Sequence, residues 1–120
     1  MYVESFKQLI VWQKSIKLVK EVYVCTDKLP KEELYGLVSQ MRRCSVSIPS
    51  NIAEGKKRKT KNDFLKFLRI ATGSAAELET QIIIAKDLYP DIDYFKSSSL
   101  LEEIQKMLAT IIKKLEAIKS

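Results

Sequence analysis

Histidine is absent from all 120 residues. With it go the commonest general base near neutral pH, the usual imidazole ligand of zinc and iron, and the Glu-x-x-His pairs of di-iron helical bundles. Glycine and proline number three each, too few to punctuate a many-turned β-sandwich, whereas abundant Leu, Ile, Lys and Glu suit long helices. The longest stretch free of charge is the ten residues from Cys44 to Ala53, well short of the ~20 apolar residues that span a bilayer. Two cysteines, Cys25 and Cys44, make no disulfide framework; both stand among apolar neighbours in helical pattern and read as buried, reduced thiols. The N-terminus has Glu4 and Lys7 where a secretion signal needs a basic and then an apolar region. The expectation is one domain over residues 1–120, soluble and cytoplasmic, off the membrane, with no metal, no cofactor and no enzymatic activity.

What is present is organised around Gln40 to Lys61, QMRRCSVSIPSNIAEGKKRKTK. The chain carries a net charge of +6, and its basic surplus is local: residues 42–69 hold nine Lys/Arg against two Asp/Glu, while the remainder is nearly balanced. Arg42, Arg43, Lys56, Lys57, Arg58, Lys59, Lys61, Lys66 and Arg69 are therefore the candidate nucleic-acid-binding residues, expected to converge near one end of the fold. Phosphates opposed to them would release counterions, and binding would weaken steeply with salt. Neither Trp nor Tyr interleaves the cluster, and Phe64 and Phe67 read as core, which favours backbone or shape recognition over base stacking. The plain alternative is a solvated loop.

Helical spacing accounts for the rest. A first helix from about Ser5 to Asp27 carries Phe6, Leu9, Trp12, Ile16, Val19 and Tyr23, with a second line of Val11, Leu18, Val22 and Cys25 beside it. Pro30 separates it from a second helix with the seam Leu34, Val38, Met41, Ser45, Ile48 and Ile52, in which Pro49 predicts a kink. Thr60 caps a third helix whose line Phe64, Leu68, Ala71, Ala75, Leu78, Ile82, Ala85 and Tyr89 alternates strictly by four and three. A fourth helix, capped at Ser99, carries Leu101, Ile104, Leu108, Ile111, Leu115 and Ile118. Four amphipathic helices with short connections specify an all-α, up-down-up-down four-helix bundle. The extra apolar lines on helices one and three point to self-association.

Glu54 and Arg58 form an i,i+4 pair, and Glu77 and Gln81 interrupt an apolar line on helix three. With Asn51 they read as a buried polar network fixing register or a subunit contact. A catalytic carboxylate pair of Glu54 and Glu77 is the sharper alternative, disfavoured because no histidine, metal-ligand spacing or phosphate-cradling loop accompanies it.

Val11-Trp12-Gln13, Leu34-Tyr35-Gly36-Leu37, Gln40-Met41-Arg42-Arg43, the stretch SVSIPSNIAEG from Ser45 to Gly55, Ala71-Thr72-Gly73-Ser74 and Glu77-Leu78-Glu79-Thr80-Gln81 carry a resemblance. Through them the chain resembles bacterial four-helix bundle proteins encoded within intervening sequences of 23S ribosomal RNA genes. It is also similar to the accessory variability proteins of diversity-generating retroelements. The resemblance covers nearly the whole chain and implies a homopentameric barrel, a basic surface that binds RNA or DNA and, in retroelements, a reverse transcriptase partner. It implies no catalytic role for Arg42, Arg43, Asn51, Glu54 or Gly55. The expected function is a non-enzymatic, homo-oligomeric module binding nucleic acid through its backbone, with a protein-interaction scaffold as the alternative.

Overall fold

The structure, a computed structural model, describes residues 5–118. Among them it is helical throughout, with four long helices: α1 (Ile10–Thr26), α2 (Ser39–Lys57), α3 (Lys61–Leu88) and α4 (Phe95–Ala117). Ser5 caps a short 3-10 turn, Phe6–Gln8, ahead of α1. The face of α1 that enters the core is Val11, Ser15, Leu18, Val22, Cys25 and Thr26. This is the line that spacing ranks second. The aromatic line is displaced to the flank, with Phe6, Trp12, Ile16 and Val19 half-buried and Tyr23 exposed. Ser15 can stand in the buried line because its hydroxyl donates to the Trp12 carbonyl at 2.7 Å, so it enters the core with its polar group satisfied.

Behind Pro30, a 3-10 turn (Lys31–Glu33) runs into a π-turn (Leu34–Val38). Gly36 there leaves helical geometry at φ −112°, ψ −111°, and the Glu33 carboxylate accepts from the Leu37 N–H at 3.3 Å. The departure from helical backbone thus comes at Gly36, ahead of α2, and α2 then runs on through the expected kink position, Pro49. Side chains brace the helix around that proline. Asn51 donates to the Ser47 carbonyl (2.8 Å), and Ser45 donates to the Arg42 carbonyl (2.8 Å). Val38, Met41, Ser45, Ile48 and Ile52 are buried as the seam requires, but Leu34 is half exposed.

The Thr60 hydroxyl accepts from the Asp63 N–H at 3.1 Å and opens α3. Leu68, Ala71, Ala75, Leu78, Ile82 and Ala85 are buried as their spacing predicts, with Leu65 in place of Phe64 at the start. Helix α4 begins at Phe95, whose N–H is received by the Asp93 carboxylate at 2.9 Å. Ser99, the expected cap, therefore lies inside the helix.

Each helix packs on two neighbours, in the cyclic order α1, α2, α3, α4. Cross-contacts give the directions. Ser47 meets Ser74 and Cys44 meets Glu77; Tyr94 reaches Ala85, Gln105 reaches Glu79 and Arg69 reaches Glu116. Helix α3 is thus antiparallel to both α2 and α4. The resulting rod, 49 × 23 × 21 Å, is filled by Leu18, Met41, Ile48, Ile52, Leu68, Leu78, Ile104 and Leu108, each stabilising it by roughly 1.5–3 kcal/mol through burial. The starts of α1 and α3 and the ends of α2 and α4 share one end of the rod.

Candidate nucleic-acid interface

The α2–α3 connection owes its tightness to Gly55. A Cβ at this buried position would lie 2.8 Å from the Phe67 Cβ and 3.0 Å from the Phe64 ring, so only glycine lets the two helices close here. Lys56 and Lys57 fill the last turn of α2, where the helix dipole favours cations. Arg58 is extended backbone at φ −73°, ψ 154°, and Lys59 and Thr60 complete the crossing.

The basic side chains here hold different positions. Arg58 is tied to Glu54 by an ion pair of 3.0 Å and lies 5.0 Å above the Phe67 ring. The Lys66 ammonium lies 5.7 Å from the same ring, and the Lys56 ammonium 5.9 Å from Phe64. Phe64 and Phe67, expected as core, are half-buried platforms for these cations. Lys61 donates to the Ile118 carbonyl just beyond α4, and Arg69 pairs with Glu116 at 2.5 Å. Lys57 and Lys59 are exposed and have no carboxylate partner among the described residues.

Arg42 and Arg43 do not join them. The Arg42 guanidinium donates to Thr26 and pairs with Asp27, both at 3.0 Å, and stacks 4.3 Å from the Tyr23 ring. That fixes it at the opposite end of the rod, about 20 Å along α2 from Lys56. Arg43 faces Gln40 at 3.4 Å. In their place the fold brings Lys113 and Lys114, from the last turns of α4, and Lys7, ahead of α1. Sequence distance hides these three; the antiparallel order of the helices finds them. Counting Lys7, Lys113 and Lys114 with Lys56, Lys57, Arg58, Lys59, Lys61, Lys66 and Arg69, this end holds ten cations against Glu54, Asp63 and Glu116 among the described residues. The other end, residues 27–33 and 86–96 with Arg42, is nearly balanced, with five cations against six carboxylates.

The family described as 23S rRNA-intervening sequence protein matches residues 7–113. The chain belongs to that family. Among solved structures it is similar to a protein of unknown function from the S23 ribosomal protein family of Bacteroides thetaiotaomicron, with 25% identity and a TM-score of 0.74 over 87% of this chain and 99% of that one. No curated protein matches it. No described helix is long and apolar enough to cross a membrane.

The expected polar network divides into separate parts. Asn51 donates to the Ser47 hydroxyl at 3.0 Å, and Ser47 shares a 2.8 Å hydrogen bond with Ser74 across the α2–α3 contact. Glu77 and Gln81 converge instead on Cys44, whose Sγ–H donates to the Glu77 carboxylate at 3.8 Å and whose sulfur accepts from the Gln81 amide at 3.4 Å. Burial raises the Cys44 thiol pKa above 9.0, the Gln81 donor opposes the rise and Glu77 adds to it; the thiol is neutral at pH 7. Glu54 is absent from both groups. It lies at the basic end, about 15 Å along α2 from the Cys44 that Glu77 touches, so Glu54 and Glu77 form no carboxylate pair.

Proposed function

We propose that the chain is a non-enzymatic helical module that binds RNA or DNA by phosphate-backbone contacts at its basic end, acting as a homo-oligomer. The observation that carries this is the uneven pairing at that end. Glu54 and Glu116 are bound to Arg58 and Arg69, which leaves Lys7, Lys57, Lys59, Lys113 and Lys114 without a carboxylate partner among the described residues. Free ammonium groups displayed from several helices suit a phosphate backbone. Phe64 and Phe67 are already engaged by cations, and this favours backbone contact over base stacking.

The test is fluorescence anisotropy with a labelled RNA hairpin and a labelled DNA duplex across a salt series. It compares the native chain with the variant Lys56→Gln, Lys57→Gln, Arg58→Gln, Lys59→Gln. We expect micromolar or tighter binding that falls with salt, with a log–log slope shallower in the variant by ~0.9 for each phosphate contact removed. Absence of binding at low salt, or equal slopes, sinks the reading. Assembly as the homopentamer that the sequence resemblance implies draws support from apolar side chains left outside the core, such as Ile70, Ile84 and Leu88 on α3. Light scattering at a fivefold multiple of 13.8 kDa is the expected result, and a mass of one chain refutes it. The same apolar positions favour the alternative, a protein-interaction scaffold such as a reverse-transcriptase accessory subunit, should nucleic-acid binding fail.

A further inference from the structure

Away from the basic end, α1 and α4 part to leave an open groove of about 460 Å³ lined by Lys17, Lys20, Phe95, Lys96 and Leu100. Phe95 is 72% exposed, and Val24, one turn of α1 above Lys20, is 55% exposed. An aromatic ring left this open at the first turn of a helix forgoes most of the stabilisation that burying it would bring. Lys14, lower on α1, pairs with Glu103 of α4 at 2.5 Å. Lys17, Lys20 and Lys96 have no carboxylate partner among the described residues. They stand on both walls, two from α1 and one from α4, around an apolar floor.

We propose that this groove is a docking site for an acidic peptide segment of another protein, which seats one aromatic or branched aliphatic side chain against Phe95 and Leu100 and sets carboxylates on Lys17, Lys20 and Lys96. The volume suits one or two large side chains, and an apolar centre ringed by charge is the ordinary anatomy of a small, specific interface. Glu21 also lines the groove. A nucleic-acid backbone, charged at every unit, meets that carboxylate unfavourably, whereas a peptide with spaced acids places none of its charges there. The inference is independent of the nucleic-acid reading, since the groove shares no residue with the basic end.

The experiment pans a random dodecapeptide display library against the full chain, then measures anisotropy of the enriched peptide made synthetically with a fluorescein label. The enriched sequences are expected to combine Asp and Glu with one aromatic or aliphatic position. Phe95→Ala, and separately the pair Lys20→Glu and Lys96→Glu, are expected to weaken binding by about tenfold or more. These are surface changes, so helical circular dichroism and light-scattering mass stay unchanged. The basic-end glutamine variant is expected to bind the peptide as the native chain does. Enrichment without acidic bias, or equal affinity for the groove variants, overturns the proposal. A mass change in Phe95→Ala would assign the groove to a second copy of the chain, and competition by an oligonucleotide that persists in the basic-end variant would assign it to nucleic acid; either result overturns it too.

Discussion

At the scale of single residues, Gly55 and Gly73 are both helical and call for opposite substitutions. A Cβ on Gly55 meets the Phe67 Cβ, which the helix backbone holds in place, whereas one on Gly73 meets nothing within 4 Å. Gly55→Ala is expected to push α2 from α3 and cost about 1–3 kcal/mol, the range for overpacking. Gly73→Ala removes backbone freedom from the unfolded chain at an exposed helix position and is expected to stabilise by about 0.5–1 kcal/mol. Urea denaturation of both variants checks the pair; a destabilised Gly73→Ala or a neutral Gly55→Ala would contradict the geometry.

At the scale of elements, the end of α3 is tied to the turn before α2 by one hydrogen bond, from the Tyr89 hydroxyl to the Glu33 carboxylate at 2.7 Å. The phenol must keep its proton to donate. Its bond to Glu33, with burial and the Glu33 charge adding, raises its pKa above the ordinary 10.0. A raised acid contributes stability that is complete below the unfolded value and is lost as pH climbs from 10.0 through the folded value. Denaturation midpoints of the native chain and of Tyr89→Phe are therefore expected to differ near neutral pH and to converge above pH 10, with parallel curves as the contrary result. The same scale shows what spacing can and cannot reveal. The line of α3 is legible because nearly every position on it is apolar, so the four-three rhythm has no gap. In α1 the buried line is broken by Ser15, and a polar gap makes the fully apolar line on the flank look like the core. In α4 the run Ser97-Ser98-Ser99 offers a capping hydroxyl, but the helix opens earlier, at Phe95, whose N–H goes to the Asp93 carboxylate, and Ser97 is buried.

At the scale of the whole molecule, the candidate site was legible where it is continuous in sequence and illegible where topology assembles it. Lys56 to Lys61 read directly. Arg42 and Arg43 stand near that run in sequence, yet the length of α2 carries them away, and Asp27, which pairs with Arg42, precedes the Pro30 break. Lys113 and Lys114 reach the site only because α4 returns to the end at which α3 begins. The nucleic-acid reading therefore makes an unequal demand on residues of like charge. Lys113→Gln with Lys114→Gln is expected to flatten the salt dependence of RNA binding by about one unit of slope per lysine, while Arg42→Gln leaves the slope as it was and lowers stability. Equal effects in the salt series would mean that binding is spread over the rod and not gathered at one end.

The sorting of charge between the two ends also gives the 49 Å rod a heading. In the field of a polyanion its cation-rich end is drawn forward while the nearly balanced end is not, so the molecule turns before it touches and arrives end first. The groove between α1 and α4 then faces sideways, clear of the surface just met. On the proposed reading, a rod held in this way by its tip would keep its flank open to a second and different visitor.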